Sequence, residues 1–589
     1  MTAPRGASPR PDSWERVPWR PKPPVRWFSP SVLAGSAMRV LLSKLFGAWL
    51  DKRELQESLG RTVHLHHADA TDGLWLDYVA DTGDGFDASY TVAWLASQPL
   101  LDVAGADRRL PRGALLVLGG DQVYPVASAS EYERRFLLPF RAALPSSEEA
   151  AAPELWALPG NHDWYDGLTS FLRTFAQHQW VGGRRTCQDR SYFAVQLPHR
   201  WWLWAVDTQF DAYVDDPQYR YFEQASALLQ EHDRVILCVA TPSWIEVPVR
   251  PSANRNIAYV ERRLIAPRHA SVVLSLSGDS HHYARYTGDD GGHRITAGGG
   301  GAFLHPTHNL PPAIPVSIAP DDPAVPTVPH RIERCYPTPS QSRRLLAGSI
   351  ALPLRNPTFA ALLGAFHVVL LRSNQFGRRA GGAAGDGELG FADLLLGLVR
   401  DPFSLFLVLS LAGALVGFAK PPPAIRAGWL RLAVRALMGL AHAAAQVATV
   451  AAVSLLAIDV VDLVTDQESS PLAAVVAFVV GGVAGGAVFG AYLALANLPA
   501  RGSHGNEAFS AMRRTRYKNF LRLHVRPDGG LTVYAIGVDK VCKRWRFAPE
   551  ADSTASWLTP EPGAEPQPHV IDRVDVPPRG AAPPPGPAR

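Results

Sequence analysis

The chain has 589 residues, with 58 Lys+Arg against 54 Asp+Glu and a formal charge of +4, a length that suggests about three to five domains. So small an excess, without a basic run, argues against a nucleic-acid protein dominated by phosphate contacts. Hydrophobic residues make up 47% and charged residues 19% of the chain, but the apolar ones collect between about Thr358 and Pro499, so an ordinary average hides a membrane region.

Residues 1–28 are a Pro-rich lead without the basic-then-apolar plan of a secretory signal, so the catalytic region is expected to start in the cytosol. From Ser29 to Leu59, the apolar residues Val32, Leu33, Val40, Leu41, Leu45, Phe46, Trp49 and Leu50 recur at roughly helical spacing. This pattern is either a helix packed on the next domain or an interfacial membrane helix. Residues 1–73 are read as this lead and its amphipathic helix. Residues 74–310 repeat one plan, a short apolar run that stops abruptly at polar or glycine residues. The runs are Leu74–Ala80, Ala114–Leu118, Leu155–Leu158, Trp201–Val206, Val235–Ala240 and Val272–Leu276. Buried strands bounded by loops and helices make a layered α/β domain, and polar residues at successive strand ends converge in space.

Residues 311–344 are a proline-dense connector with no packed element expected. The region 345–500 carries apolar stretches at Thr358–Leu371, Pro402–Ala419, Leu432–Ile458 and Pro471–Pro499. The last three are long enough to cross a bilayer; the first is so only if it begins near Ile350 and tolerates Arg355 and Pro357. Three or four spans follow. Asp459, Asp462, Asp466 and Glu468 lie between the third and fourth stretches, and Lys420, Arg426, Arg431 and Arg435 between the second and third. By the positive-inside rule the acidic loop faces away from the cytosol, and four spans return both flanking regions to the cytosolic side. The pair Arg378-Arg379 runs against this count. Residues 501–548 are read as a basic helix and a hairpin, with Phe520–Val525 and Leu531–Val538 flanking Pro527-Asp528-Gly529-Gly530. Residues 549–589 are read as a disordered Pro-rich tail. The four cysteines Cys187, Cys238, Cys335 and Cys542 lack metal or disulfide spacing and are read as reduced thiols.

Five strand-end clusters carry the chemistry. They hold Asp81; Asp121 with Tyr124; Asn161 with His162 and Asp163; Thr241; and Asp279 with His281. Carboxylates, an amide oxygen, a phenolate and imidazole are hard and borderline ligands suited to iron, manganese or zinc, the composition of a two-metal hydrolytic centre. The sequence here resembles the calcineurin-like metallophosphoesterases, and within them the purple acid phosphatase branch, over roughly Leu74–Gly301. The matching motifs are Asp81-Thr82-Gly83 followed by Phe86-Asp87, Gly120-Asp121 through Tyr124, and Gly160-Asn161-His162-Asp163. In the fourth motif, Gly278-Asp279-Ser280-His281-His282-Tyr283-Ala284-Arg285, Asp replaces the family's first His. Ala240-Thr241-Pro242 lacks the His that precedes Pro. The resemblance implies a four-layer α/β/β/α sandwich. One metal would sit on Asp81, Asp121, Tyr124 and His281, and a second on Asp121, Asn161 and Asp279, with Thr241 in doubt. Both changes fall on the second position and favour manganese, magnesium or iron there over zinc. His162 would face the leaving group, with Asp163 setting its tautomer and favouring its protonated form.

Several residues keep two readings. Asp81 also fits an ordinary turn, Tyr124 a packing role, and Asp279 an acceptor for His281. His282 is either structural or a ligand, and Arg285 either binds phosphate or pairs with a carboxylate. After Gly298–Gly301, His305 and His308 either supply the imidazole missing at Thr241 or sit on a flexible turn. His442 and Gln446, one helical turn apart, mark a polar pathway or a helix-to-helix hydrogen bond. The expected protein is an integral membrane phosphoesterase with a cytosolic catalytic domain and two divalent or mixed-valence metal ions (Fe, Mn, Zn or Mg). Its substrate would be a phosphorylated small molecule or lipid. The competing classes are a scaffold or sensor that has lost the second metal, and a channel or transporter, which the scarcity of ionisable residues in the apolar segments disfavours.

Overall fold

A computed structural model describes residues 20–35, 38, 63–65, 73–148, 152–208, 214–380, 390–464, 471–498, 502–548 and 555–579. The chain divides into two compact units. One comprises Met1–Val25, Ser36–Pro339 and Arg514–Arg589, the other Arg26–Gly35 and Ser340–Arg513. Most of the helix expected over Ser29–Leu59 lies outside the described residues.

The first unit is mixed α/β, with two large sheets. The eight-stranded sheet runs, from edge to edge, through Pro568–Val576, Leu531–Val538, Lys518–Val525, Leu74–Val79, Leu115–Leu118, Glu154–Ala157, Arg184–Thr186 and Trp180–Val181. Its three expected strands from Leu74 to Ala157 are parallel and almost wholly buried, as near-continuous apolar runs require. The nine-stranded sheet runs through His64–Leu65, Phe193–Leu197, Trp201–Val206, Arg234–Val239, Ser271–Ser277, His293–Ala297, Tyr283–Gly288, Val328–Tyr336 and Ala313–Val316.

Four boundaries differ from expectation. The Pro-rich connector contains two strands, Ala313–Val316 and Val328–Tyr336. Its prolines fit because Pro315 and Pro329 face each other across the outermost pairing of the sheet, where the missing amide hydrogens interrupt no inner ladder. The tail expected to be disordered contains Pro568–Val576, paired antiparallel to Leu531–Val538; the alternation of Val574, Asp575 and Val576 is a strand signal that the flanking prolines obscure. The hairpin expected as a separate module is instead part of the first unit, since Lys518–Val525 pairs antiparallel with Leu74–Val79. His64–Leu65, assigned to the lead, also pairs with Phe193–Leu197 in the nine-stranded sheet.

Arg522, one of the basic residues of the 501–548 segment, is fully buried in that pairing. Its Nε and Nη2 donate to Asp77 Oδ1 and Oδ2 at 2.6 and 3.0 Å, and its remaining donors reach the carbonyls of Leu110 at 2.9 Å and Ala96 at 3.2 Å. A guanidinium in a dry sheet is tolerated because its planar fork is matched by a carboxylate and carbonyl oxygens.

The second unit is helical. Gly428–Val461 and Pro471–Ala496 are long and apolar enough to cross a membrane, with mean hydropathies of 2.0 and 2.3. Two more candidate spans are bent pairs: Pro339–Arg355 with Pro357–Phe376 at 68°, and Phe391–Arg400 with Pro402–Phe418 at 92°. The stretch from Pro402, expected to span unaided, is a 17-residue helix of about 25 Å, capped by Asp401, whose carboxylate accepts from the Ser404 amide at 2.7 Å. Small residues bring the backbones together. A Cβ on Gly482 would lie 2.5 Å from the Ala360 carbonyl oxygen, and one on Gly364 2.2 Å from that of Phe478, the close approach typical of membrane helices. Gln446 donates to the Gly485 carbonyl at 3.0 Å and lies 3.4 Å from His442 Nε2, so the helix-to-helix hydrogen bond is present.

The sheet constrains the topology. The chain leaves the first unit after Pro339 and re-enters it at Arg514, where Lys518–Val525 is hydrogen-bonded to Leu74–Val79. A folded sheet lies on one side of a bilayer, so a membrane-spanning segment between its strands would cross an even number of times: by the two long helices alone, or by these with both bent pairs. Single cysteines placed at exposed Glu231 and Asp528, 67% and 52% accessible, should therefore share one reactivity to an impermeant maleimide on intact cells, measured against the parent protein. One labelled and one shielded would break the argument.

Candidate metal centre

Asp81, Asp121 and Asp279 each follow the end of a buried strand and each adopts a left-handed backbone, with φ of 61°, 51° and 61°. Aspartate is one of the few side chains that tolerate this region. The adjoining glycines are dictated by these carboxylates. A Cβ on Gly160 would lie 2.1 Å from Asp121 Oδ1, and on Gly278 or Gly298 it would lie 2.5 or 2.7 Å from Asp81 Oδ2. Gly298–Gly301 are buried and therefore form a tight wall, not a flexible surface turn.

Four side chains meet at one point. Tyr124 Oη lies 3.0 Å from Asp81 Oδ1, 3.1 Å from Asp121 Oδ2 and 3.0 Å from His281 Nε2. His281 Nδ1 lies 2.7 Å from the Phe303 carbonyl; because a carbonyl only accepts, Nδ1 carries the proton and Nε2 presents its lone pair to the cluster. The Asp279 amide donates to both Asp81 oxygens at 3.0 and 2.9 Å. The His162 amide donates to Asp121 Oδ1 at 2.9 Å. Asn161 Nδ2 donates to Tyr165 Oη at 3.3 Å, which leaves its carbonyl oxygen as the atom able to bind a cation.

His162 is oriented differently from expectation. Its Nδ1 lies 2.7 Å from the Pro125 carbonyl, which fixes the Nδ1–H tautomer. Asp163 is turned towards the backbone, accepting from the Gly160 amide at 2.8 Å, the Tyr132 hydroxyl at 2.6 Å and the Gln122 amide at 3.3 Å. It braces the loop that carries Asn161 and His162 and does not set the tautomer. Burial pushes His162 down to about 4, so its neutral form prevails at pH 7, against the protonated form expected from sequence.

The candidate substrate ligands separate. Arg285 is committed to Asp572, at 2.6 and 3.2 Å, and to Thr287 at 2.7 Å; carboxylate pairing is the reading that holds. His282 is buried with neither ring nitrogen hydrogen-bonded among the described residues, and burial followed by the neighbouring His305 pushes it down to about 3. His305 stacks on His281, with ring centroids 4.1 Å apart, and so belongs to the Tyr124–His281 side of the cluster. His308 is half-buried in the same loop. Thr241 is half-buried at the end of Arg234–Val239, and its carbonyl accepts from the Ser243 amide at 2.9 Å.

Two contributors were missed from sequence. Asp84 accepts from the Val25 amide at 2.7 Å and the Phe303 amide at 3.2 Å, and the Asp-Thr-Gly-Asp run pointed to it. Lys518 is fully buried, donates to the Ala302 carbonyl and has no motif around it.

The electrostatics favour a cation. Burial, then Asp121 and Asp279, raise Asp81 well above the carboxylate range; burial lifts Asp121 to about 7, and burial followed by Asp121 lifts Asp279 to about 7. Burial drives His281 down, as do His305 and Lys518. Acids stripped of water and crowded together resist ionisation, and a bound cation reverses that preference. Among the described residues no group of three or more His, Cys, Asp and Glu stands at ready-made metal spacing; the Tyr124 hydroxyl takes the centre. The donor set itself, oxygen-rich with one imidazole lone pair, fits a hard or borderline cation.

No family model matches this chain, and no curated protein is similar to it in sequence. Among solved structures, GAP50, the anchor in the inner membrane complex of Plasmodium, is 14% identical. That likeness covers 40% of this chain and 74% of the other, with a TM-score of 0.30, a level at which no function transfers.

Gly160→Ala tests the fit of the loop to Asp121. The intruding methyl should displace the carboxylate, cost about 1–3 kcal/mol of stability and lower the metal content of the purified protein by elemental analysis. Wild-type stability and metal content would show that the contact yields without consequence.

Proposed function

We propose that this protein is a membrane-anchored, binuclear metal-dependent phosphoesterase that hydrolyses a phosphomonoester or phosphodiester. The observation that carries the reading is the meeting of Tyr124, Asp81, Asp121 and His281, delivered by three strand ends, in a buried acidic cluster. In this reading the two sheets form the inner layers of an α/β/β/α sandwich. Asp81, Asp121, Tyr124 and His281 would hold one cation, and Asp121, Asn161 and Asp279 the other, from among iron, manganese, zinc and magnesium. The excess of Lys and Arg between the helices from Pro402 and Gly428 supports a cytosolic catalytic unit.

When bound, two such cations supply an activated water and a clamp on the phosphoryl oxygens. The chain does the rest. The amides of His162 and Asp279 orient the carboxylates of Asp121 and Asp81. The Pro125 carbonyl holds His162 with Nδ1 protonated, so Nε2 is the nitrogen that exchanges a proton with the substrate. A phosphate dianion beside that ring favours its charged form and would counter the effect of burial. His162 then donates to the leaving oxygen.

A second reading, a membrane scaffold or sensor that binds a phosphorylated ligand without turnover, draws on Thr241 and Asp279, where imidazoles are absent, and on the Tyr124 hydroxyl at the centre of the cluster. Elemental analysis and hydrolysis of an aryl phosphate separate the two: two metals per chain with turnover supports the enzyme, and ligand binding without turnover supports the scaffold. Asp121→Ala should remove both metals and all hydrolysis, since Asp121 is the one side chain assigned to both cations; retained stoichiometry with near-normal turnover sinks the assignment. His162→Ala should keep the metals and slow turnover by about 10²–10⁴-fold. A rate unaltered for both good and poor leaving groups would make His162 structural.

A further inference from the structure

One wall of the cluster, the Gly298–Leu304 loop, is held by residues that the chain supplies only after its apolar helices. The Gly298–Leu304 loop meets the strand end of Asp81 through the amides of Gly300 and Ala302, which donate to the carbonyls of Ala80 and Asp81, each at 2.9 Å. The same loop is held by the C-terminal segment. The Leu304 amide donates to the Arg514 carbonyl and the Asn519 amide to that of Gly299, each at 3.1 Å, while the Lys518 ammonium donates to the Ala302 carbonyl. Next along the loop, the Phe303 amide donates to the Asp84 carboxylate and the Phe303 carbonyl meets His281 Nδ1. Lys518 thus sits on the residue between the backbone contact to Asp81 and the contacts to Asp84 and His281. It is 0% exposed, and the acidic groups that face it are Asp84 and Asp81.

We propose that Lys518 is a positioning residue of the metal centre: a fixed counter-charge that holds the loop in place and sets how tightly the aspartates take a cation. The inference rests on the reading of the cluster as a metal site. Without a cation, the ammonium offsets the crowded carboxylates and stabilises the protein. With one bound, two positive centres share the same acids, and Lys518 weakens binding. A brace without an electrostatic role would act oppositely, because loosening the loop would disorder the ligands and reduce affinity.

The test is calorimetric titration of chelator-treated, full-length protein with Mn²⁺ in detergent, with the melting temperature of the metal-free form recorded alongside. Lys518→Met should bind Mn²⁺ at least about tenfold more tightly than wild type, as expected when a unit charge close to a divalent cation is removed at low dielectric, and should melt earlier when metal-free. Lys518→Arg, which keeps the charge, should retain an affinity close to wild type. If the methionine variant does not fold, Lys518→Gln, uncharged yet able to donate to Ala302, should show the same tightening. Unchanged or weaker Mn²⁺ binding in the uncharged variants, with wild type binding normally, overturns the proposal. Failure of wild type to bind Mn²⁺, zinc or ferrous iron would instead remove the metal reading, and this inference with it.

Discussion

The pairing of Leu74–Val79 with Lys518–Val525, locked by the buried Arg522–Asp77 ion pair, is the contact on which the molecule's organisation depends. It joins the strand that is first in chain order within the eight-stranded sheet to a strand that follows every apolar helix. The removal of Asp77 would leave a guanidinium stranded in a dry sheet, and the removal of Arg522 would strand a carboxylate; either loss costs more than the intact pair contributes. Because Asp81 lies just beyond the strand that carries Asp77, the ion pair and the candidate centre are two parts of one strand's geometry.

The centre is built against its own electrostatics. Burial raises Asp81, Asp121 and Asp279 together, and neighbouring aspartates raise Asp81 and Asp279 further. The left-handed backbones at those aspartates concentrate strain at the same place, as is usual where a site must be pre-organised, and the adjoining glycines leave the room that the carboxylate oxygens occupy.

What the sequence made legible follows from the physics of buried parallel strands. Such strands are apolar throughout and end sharply, so the runs before Asp81, Asp121, Asn161 and Asp279 could be marked to within a residue or so, and the polar clusters behind them named the candidate donors. Direction was not legible. The neighbouring letters His162 and Asp163 suggested a pair, but a short helix begins at Asn161 and turns the carboxylate back onto the Gly160 amide. Proline density misled twice, at residues 311–344 and 549–589, since prolines at sheet edges and strand ends read locally like prolines in a loose linker. The burial of Lys518 and Arg522 was not legible, because nothing in a basic segment reveals which of its members will meet a buried acid from the other end of the chain.

The discontinuity of the α/β unit carries a consequence for biogenesis. Domains commonly fold as they leave the ribosome, N-terminal portions first, yet here the eight-stranded sheet lacks three of its strands until the polypeptide has been made through Val576. By then every apolar helix has already left the ribosome. The nascent N-terminal half must wait with the edge of Leu74–Val79 unpaired, a surface prone to mispairing, and the acidic cluster lacks its lysine throughout that interval. Assembly of the site is therefore timed to follow synthesis of the helices, which makes the sheet a checkpoint on the completeness of the chain.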